Sequence, residues 1–435
     1  MTTAAGPRDC ALDILHETLR RGRPFDEALA RHRALARLPE RDRGFVRLLA
    51  ATVLRRLGQI DAILAGCIEK PIPAKHGVVH DILRLGVAQL LFLKTPAHAA
   101  VDTSVRLAQE HGRGGYKGLV NAVLRRIASD GARMIAEQDA PRLNTPDWLW
   151  ESWVAAYGEA TARAIAAANL GEPPLDISPK SEPEVWAGRL GAKILPTGTL
   201  RRPGAAEGGG GMIAQLPGFA EGAWWVQDAA AAIPATLLGD VAGQTVIDLC
   251  AAPGGKTAQL AAKGANVIAV DSSAPRCETI AENLKRLKLD AELVRADAAK
   301  FRPAAPAPFV LLDAPCTATG TMRRHPDIAR HKTPDDVTRL AALQDKLLRA
   351  AAGMVAPGGL LVYCSCSLQP EEGVERIEAL LGRESGLARE KIAADEVGGL
   401  RELITADGDL RTLPCHLSEA GGIDGFYAAR LRRRN

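Results

Sequence analysis

Three features missing from this 435-residue chain each remove a class of protein. No stretch reaches the roughly 18 uninterrupted apolar residues that a spanning helix needs. The most apolar run, Ala229 to Gly239, is short and carries Pro234. The opening residues, MTTAAGPRDC, lack the basic-then-apolar layout of a secretory leader, so a cytoplasmic protein is expected. No two cysteines have C-x-x-C spacing and no histidine set accompanies them, so no metal site is expected. A chain this large in a reducing compartment needs no disulfides. Most of the eight thiols (Cys10, Cys67, Cys250, Cys277, Cys316, Cys364, Cys366 and Cys415) are therefore expected as small core residues, with two or three left for chemistry.

What is present is unevenly distributed. The net charge is only +4, but residues 1–135 hold roughly 22 Lys/Arg against 13 Asp/Glu, leaving the remainder slightly acidic. A basic domain on a near-neutral chain fits either a polyanionic partner such as nucleic acid or a set of solvated helix faces. The length calls for two or three domains. Residues 1–135 read as a helical bundle: ALDILHETLRR, RDRGFVRLLAATVLRRLGQIDAIL and HDILRLGVAQLLFL repeat apolar residues three and four apart, and Gly/Pro clusters separate them. Residues 136–221 read as a small α+β connector, in which Pro146 opens a helix, Gly171-Glu172-Pro173-Pro174 breaks it, and short strands follow. The tract Gly208–Gly211 is expected as a surface loop, since no helix follows it directly.

From Gly222 to the end, short apolar runs alternate with helical patterns. TVIDLC (245–250), NVIAVD (266–271), ELVRAD (292–297), FVLLDAPC (309–316) and LLVYCSC (360–366) suit strands buried on both faces of a parallel sheet. The expected fold is a doubly wound α/β domain. FYAARLRR, near the end, is expected as an antiparallel edge or insertion.

The first of these strands runs into Cys250-Ala251-Ala252-Pro253-Gly254-Gly255-Lys256-Thr257, a small-residue turn before a helix. Ligands of open α/β sheets bind beyond such strand ends. An ATP-binding P-loop needs a glycine at position 250, where cysteine stands, and a dinucleotide fingerprint needs a third spaced glycine that is missing. S-adenosylmethionine fits better, because Asp271 and Asp297 close the next two strands, where an acid for the ribose and a partner for the adenine are required.

The fourth strand ends in Asp313-Ala314-Pro315-Cys316 and the fifth in Cys364-Ser365-Cys366, on the same sheet edge as the turn. Thiols there suit methylation of a poor carbon nucleophile. A thiolate adding to carbon 6 of a pyrimidine makes carbon 5 nucleophilic. An acid at ring nitrogen 3 stabilises the adduct, and a base then removes the carbon 5 proton.

DLCAAPGGKT, DAPCTATG and YCSCSL resemble the signature motifs of the RNA cytosine-5 methyltransferases, and the helical region resembles the NusB-type RNA-binding fold. Together they resemble the bacterial RsmB (Sun) family, which methylates a cytosine of 16S ribosomal RNA. The resemblance implies three parts: an all-α NusB-like bundle (1–135), a small α+β connector (136–221) and a Rossmann-like S-adenosylmethionine-dependent methyltransferase domain (222–435). It implies Cys366 as nucleophile, Cys316 as the group assisting product release, and Asp313 at the cytosine edge. It also implies that Cys250, Ala251, Ala252, Pro253, Gly254, Gly255 and Lys256, with Asp271, Asp297 and Asp313, line the cofactor pocket. DNA cytosine-5 enzymes use the Pro-Cys cysteine instead, so the two thiols' roles are confusable from sequence.

Lys256 is expected to orient a substrate or catalytic group. Arg323, Arg324 and His325 either hold phosphates beside a flipped base or form an exposed loop. Cys364 is expected in the core. The implied partner is small-subunit ribosomal RNA, bound by a monomer. Transfer RNA as substrate and a non-enzymatic RNA-binding or antitermination factor are the alternatives. The Ser365-Cys366 pair departs from the family's usual Thr-Cys, and ISPKSEPEV departs from its Asn-bearing strand and helix.

Overall fold

The computed structural model describes residues 6–111, 113–204 and 213–435. The tract Gly208–Gly211 lies outside the described residues. The chain divides into two compact units, one of residues 1–170 with 324–332, the other of residues 171–323 with 333–435. No helix among the described residues is long and apolar enough to cross a membrane.

The first unit is helical. Its longer helices (Pro7–Arg21, Glu40–Arg55, Leu57–Cys67, Gly77–Val87, Ala97–Glu110 and Lys117–Ala136) turn their apolar stripes onto one core built around Ile14, Leu49, Val53, Ile60, Ile82, Leu85 and Leu124. Helices Ala140–Asn144, Asp147–Tyr157 and Glu159–Ala168 belong to the same unit. So does the segment 324–332, which sequence reasoning did not separate. Asp327 accepts the Phe25 amide at 3.0 Å, His331 bonds the Thr18 carbonyl at 2.8 Å, and His325 pairs with Asp26 at 2.9 Å. Burial opposes the Asp26 charge, but His325 and Arg47 outweigh it and draw its pKa down to about 2.

The second unit holds two sheets. The smaller comprises β1 (Leu175–Pro179), β2 (Lys193–Ile194), β3 (Leu200–Arg202) and β4 (Trp224–Val226), antiparallel in the order β2-β3-β1-β4. It is fastened by a buried ion pair between the cross-strand partners Asp176 and Arg201, with two N–O contacts of 2.7 Å. Arg201 also donates to the Gly422 carbonyl at 2.6 Å, and Asp176 accepts the Ala229 amide at 3.0 Å.

The larger sheet comprises β5 (Thr245–Leu249), β6 (Asn266–Asp271), β7 (Glu292–Arg295), β8 (Ala307–Asp313), β9 (Val355–Ser365), β10 (Leu387–Arg389), β11 (Leu410–Thr412) and β12 (Phe426–Arg433). Its order is β10-β12-β9-β8-β5-β6-β7, with β11 pairing β12. The five strands from β9 to β7 are parallel. Strand order reverses between β5 and β8, which is where ligands of such sheets bind. FYAARLRR, as β12, is antiparallel and inserted within the sheet, the second of its two expected placements rather than the edge. It lies between β9 and β10, and its near-complete burial reflects cover on both sides. Of the eight cysteines, Cys10, Cys67 and Cys364 are buried and the other five are partly exposed, fewer core thiols than the composition suggested.

Removing one partner of a buried ion pair leaves the other charge uncompensated, at a cost of about 3–5 kcal/mol. Arg201→Ala should lower the urea midpoint of the second unit accordingly. An unchanged midpoint would show that the clamp contributes nothing.

Candidate active site

The carboxyl ends of β5, β6, β8 and β9 open onto a cavity of about 630 Å³. The turn after β5 begins where Cys250 takes a left-handed backbone (φ +60°). The Ala252–Pro253 peptide is cis, and Gly254 (φ +97°) starts the helix Gly255–Ala262. A side chain at Gly254 would also press on Ile280, whose Cγ2 lies 3.3 Å from a Cβ placed there. The turn's carbonyls are tied to the helix Ala274–Leu287: Arg276 donates to Ala252 at 3.0 Å and Asn283 to Pro253 at 2.9 Å.

The cavity wall includes Cys250, Ala252, Asp271, Asp297, Asp313, Cys316 and Cys366, all expected from the sequence. Ala251, Pro253, Gly254 and Gly255 shape the turn rather than the wall. Sequence reasoning missed Arg276, and it missed Leu343 and Leu347 on the helix Pro334–Met354. That helix is fixed at its start by a capping box between Thr333 and Asp336, with Pro334 in the first turn. The helical period of VTRLAALQDKLL was legible, but not which strand ends it would cover.

Asp271 accepts the amides of Ala252 (3.3 Å) and Ser273 (3.1 Å), which fixes the carboxylate at the strand end. Asp297 accepts the Ala299 amide at 3.0 Å and remains exposed. Burial pushes the Cys250 thiol up to about 12.

Lys256 does not line the cavity. It is buried, with its Nζ 2.7 Å from Asp313 Oδ2 and 4.9 Å from the centre of the Phe426 ring. Burial works against its charge, yet Asp313 above all holds the ammonium well above its usual range. Asp248, fully buried on β5, accepts the Thr257 hydroxyl at 2.6 Å, while its other oxygen has no hydrogen-bond partner among the described residues. Desolvation raises its pKa to about 7, against a weaker opposing pull from Thr257 and Lys256.

Strands β8 and β9 run parallel with Asp313 opposite Cys364. Just past their ends the Sγ atoms of Cys316 and Cys366 face each other at 3.4 Å. Cys364 does not join them. β9 stops at Ser365, and Cys364 packs in the core with its Sγ 3.6 Å from Asp313 Oδ1. The bond with Cys366, then burial and the Glu372 charge, push the Cys316 thiol well above its ordinary value.

Arg323 is not a phosphate ligand or part of an exposed loop. At 2% exposure it pairs with Asp424 (3.3 Å) and Asp228 (3.8 Å) and donates to the Gly421 carbonyl at 2.6 Å. Arg324 and His325 belong to the helical unit. Among the described residues no three His, Cys, Asp or Glu side chains gather where they could hold a metal ion.

Comparison with known proteins bears on this geometry. A family model described as 16S rRNA methyltransferase RsmB/F matches residues 235–432, and the NusB family model matches residues 5–129. The ribosomal RNA small subunit methyltransferase B of Pseudomonas putida is 39% identical over 91% of this chain and 92% of its own. That of Vibrio cholerae is 35% identical over 98% of both. In fold, the chain is similar to a methyltransferase homolog protein from Pyrococcus horikoshii, with a TM-score of 0.53 and 24% identity over 66% of this chain and 99% of that one.

Asp248 supplies a pH test of the site's electrostatics. Its folded pKa of about 7 exceeds the unfolded value, so the folded state holds a proton that the unfolded chain has released. That contribution favours folding at low pH and is lost as pH rises through about 7. Asp248→Asn, neutral at every pH, should therefore raise the melting temperature more at pH 8 than at pH 5. Equal shifts at the two pH values would mean that Asp248 folds with an ordinary carboxylate.

Proposed function

The chain belongs to the RsmB/F family of 16S ribosomal RNA methyltransferases, and on that premise we propose that it methylates carbon 5 of a cytosine in small-subunit ribosomal RNA, using S-adenosylmethionine and a covalent Cys366 adduct. The observation that carries this reading is the pair of thiols, 3.4 Å apart, on the wall of a carboxylate-lined cavity.

The cavity suits the cofactor. Asp271 and Asp297 are acceptors for the ribose hydroxyls and the adenine, the turn from Cys250 to Gly255 brings small residues to the ligand, and Leu343 and Leu347 supply an apolar wall. When bound, S-adenosylmethionine supplies an electrophilic methyl group. The chain's own residues do the rest. Cys366 adds as thiolate to carbon 6, and the displaced π pair makes carbon 5 nucleophilic. Asp313 meets the cytosine edge, and Lys256, paired to it at 2.7 Å, offers positive charge as negative charge develops on the ring. Once Cys366 is tied up in the adduct its charge has passed to the ring, so Cys316 can release its own proton to solvent. As a thiolate it takes the carbon 5 proton after methylation, the double bond re-forms and Cys366 leaves as thiolate. A paired or stacked target base must leave its stack to reach the two thiols.

The helical region 1–135, with its basic excess, serves as the RNA-binding part, 136–221 as the connector and 222–435 as the catalytic part. The protein acts as a cytoplasmic monomer. Transfer RNA is the second substrate to test, since the catalytic motifs suit either. A non-enzymatic factor would have no use for Cys316, Cys366, Asp313 and the glycine turn together.

Cys366→Ala should abolish methyl transfer, and substantial residual turnover would refute the adduct. Cys316→Ala should leave the attack intact and trap a covalent protein–RNA adduct on denaturing gels; clean turnover without adduct would mean another group takes the proton. With labelled cofactor and RNA from a strain lacking the gene, label should appear as 5-methylcytosine in the small-subunit fraction. Label in transfer RNA would overturn the substrate.

A further inference from the structure

A buried polar cluster underlies the two thiols and has no part in the steps above. Its centre is Glu372, 0% exposed, at the end of the short helix Pro370–Glu372. Its carboxylate accepts the Thr317 amide at 2.9 and 3.2 Å, the Thr317 hydroxyl, and the Gln344 amide nitrogen at 3.0 Å. Its main-chain carbonyl accepts the hydroxyls of Tyr363 and Ser365, each at 2.8 Å. One residue thus joins the loop that carries Cys316, the helix Pro334–Met354 and the end of β9. Every group on the carboxylate is a donor, the environment of an ionised acid.

Burying a charge costs several kcal/mol unless the surroundings repay it, and a neutral side chain would suffice merely to cap the Thr317 amide. The charge also sits one residue from Cys316. Two thiols 3.4 Å apart cannot both ionise, so a fixed negative charge near one of them decides which does. Facing Cys316 are Cys366, Glu372 and the Tyr363 hydroxyl. Asp313 and Cys364 lie on the neighbouring strand ends, with Lys256 paired to Asp313 from the helix Gly255–Ala262. Arg411, bonded to the Ser367 carbonyl at 2.7 Å and lying over the Tyr427 ring, is a cation beside Gly373, the residue after Glu372, with its Nη2 2.8 Å from a Cβ placed there.

We propose that Glu372 is the positioning residue that assigns the two thiols their roles: its carboxylate clamps the Cys316 loop through Thr317 and reserves the negative charge of the thiol pair for Cys366. The proposal rests on Cys366 being the nucleophile. It also explains how this chain avoids the opposite assignment, in which the Pro-Cys thiol attacks.

The test is alkylation of the full-length protein by iodoacetamide without RNA, read by peptide mass spectrometry. In the native protein Cys366 should label ahead of Cys316. In Glu372→Gln, labelling of Cys316 relative to Cys366 should rise about tenfold, the effect of one pKa unit on thiolate fraction, and Glu372→Asp should restore most of the native ratio. An unchanged ratio in Glu372→Gln, with cofactor binding by calorimetry retained, would overturn the proposal, as would preferential labelling of Cys316 in the native protein. Should Glu372→Gln not fold, Cys366→Ser with Glu372 intact gives the second reading. Cys316 should then label slowly until the pH passes that of an ordinary thiol, about 8.5, and labelling at an ordinary thiol's rate at pH 8 would equally overturn it. Because no RNA is used, failure here is distinct from failure of the methylation reading, which the RNA-labelling experiment reports.

Discussion

The parallel pairing of β8 with β9 is the constraint on which the site depends. With Asp313 opposite Cys364, both strands end on the same sheet edge, and thiols 50 residues apart in the chain come within 3.4 Å. The pairing continues past the strands: the Ala314 amide bonds the Cys364 carbonyl and the Gly320 amide bonds the Cys366 carbonyl, each at 2.9 Å. Gly320 is required by the closeness of this approach. A Cβ there would lie 2.0 Å from the Gly425 carbonyl oxygen, at the foot of β12. A one-residue slip of β9 against β8 would turn the side chains of the slipped strand to the other face and part the two thiols, so register and chemistry are one problem.

A second layer of order is electrostatic. Lys256 is a buried ammonium whose cost is met by Asp313, with Asp248 and the Phe426 ring adding to the attraction. At that cation β5 contributes Asp248, the helix after the turn Lys256 itself, β8 Asp313, β9 Cys364 and β12 Phe426. On the far side of the thiols, Glu372 does the equivalent with a buried negative charge, held by Thr317 and Gln344. The site is thus bracketed by a cation at the Asp313 end and an anion beneath Cys316. In a low-dielectric interior such fixed charges act strongly on ionisation and on developing charge.

The sequence by itself determined the helical bundle, the alternation of strands and helices, and the strand ends at Asp271 and Asp313, with Asp297 and Cys366 lying just past the ends of β7 and β9. It determined these because they are local: hydrophobic period sets the element type, and small residues and glycines set the turn. Pro253, Gly254 and Gly255 are readable for the same reason. Tertiary structure alone decided that Arg323 is buried on Asp424 and Asp228 while Arg324–Lys332 joins the helical unit, since an arginine's partner is not written beside it in the chain. It likewise decided that β12 lies inside the sheet, that Leu343 and Leu347 face the cavity, and that Glu372 sits under Cys316. Each of these depends on strand order and on the rotational phase of a helix against the sheet. Burial pattern fixes which face of an element turns inward, but not which distant side chains it meets there.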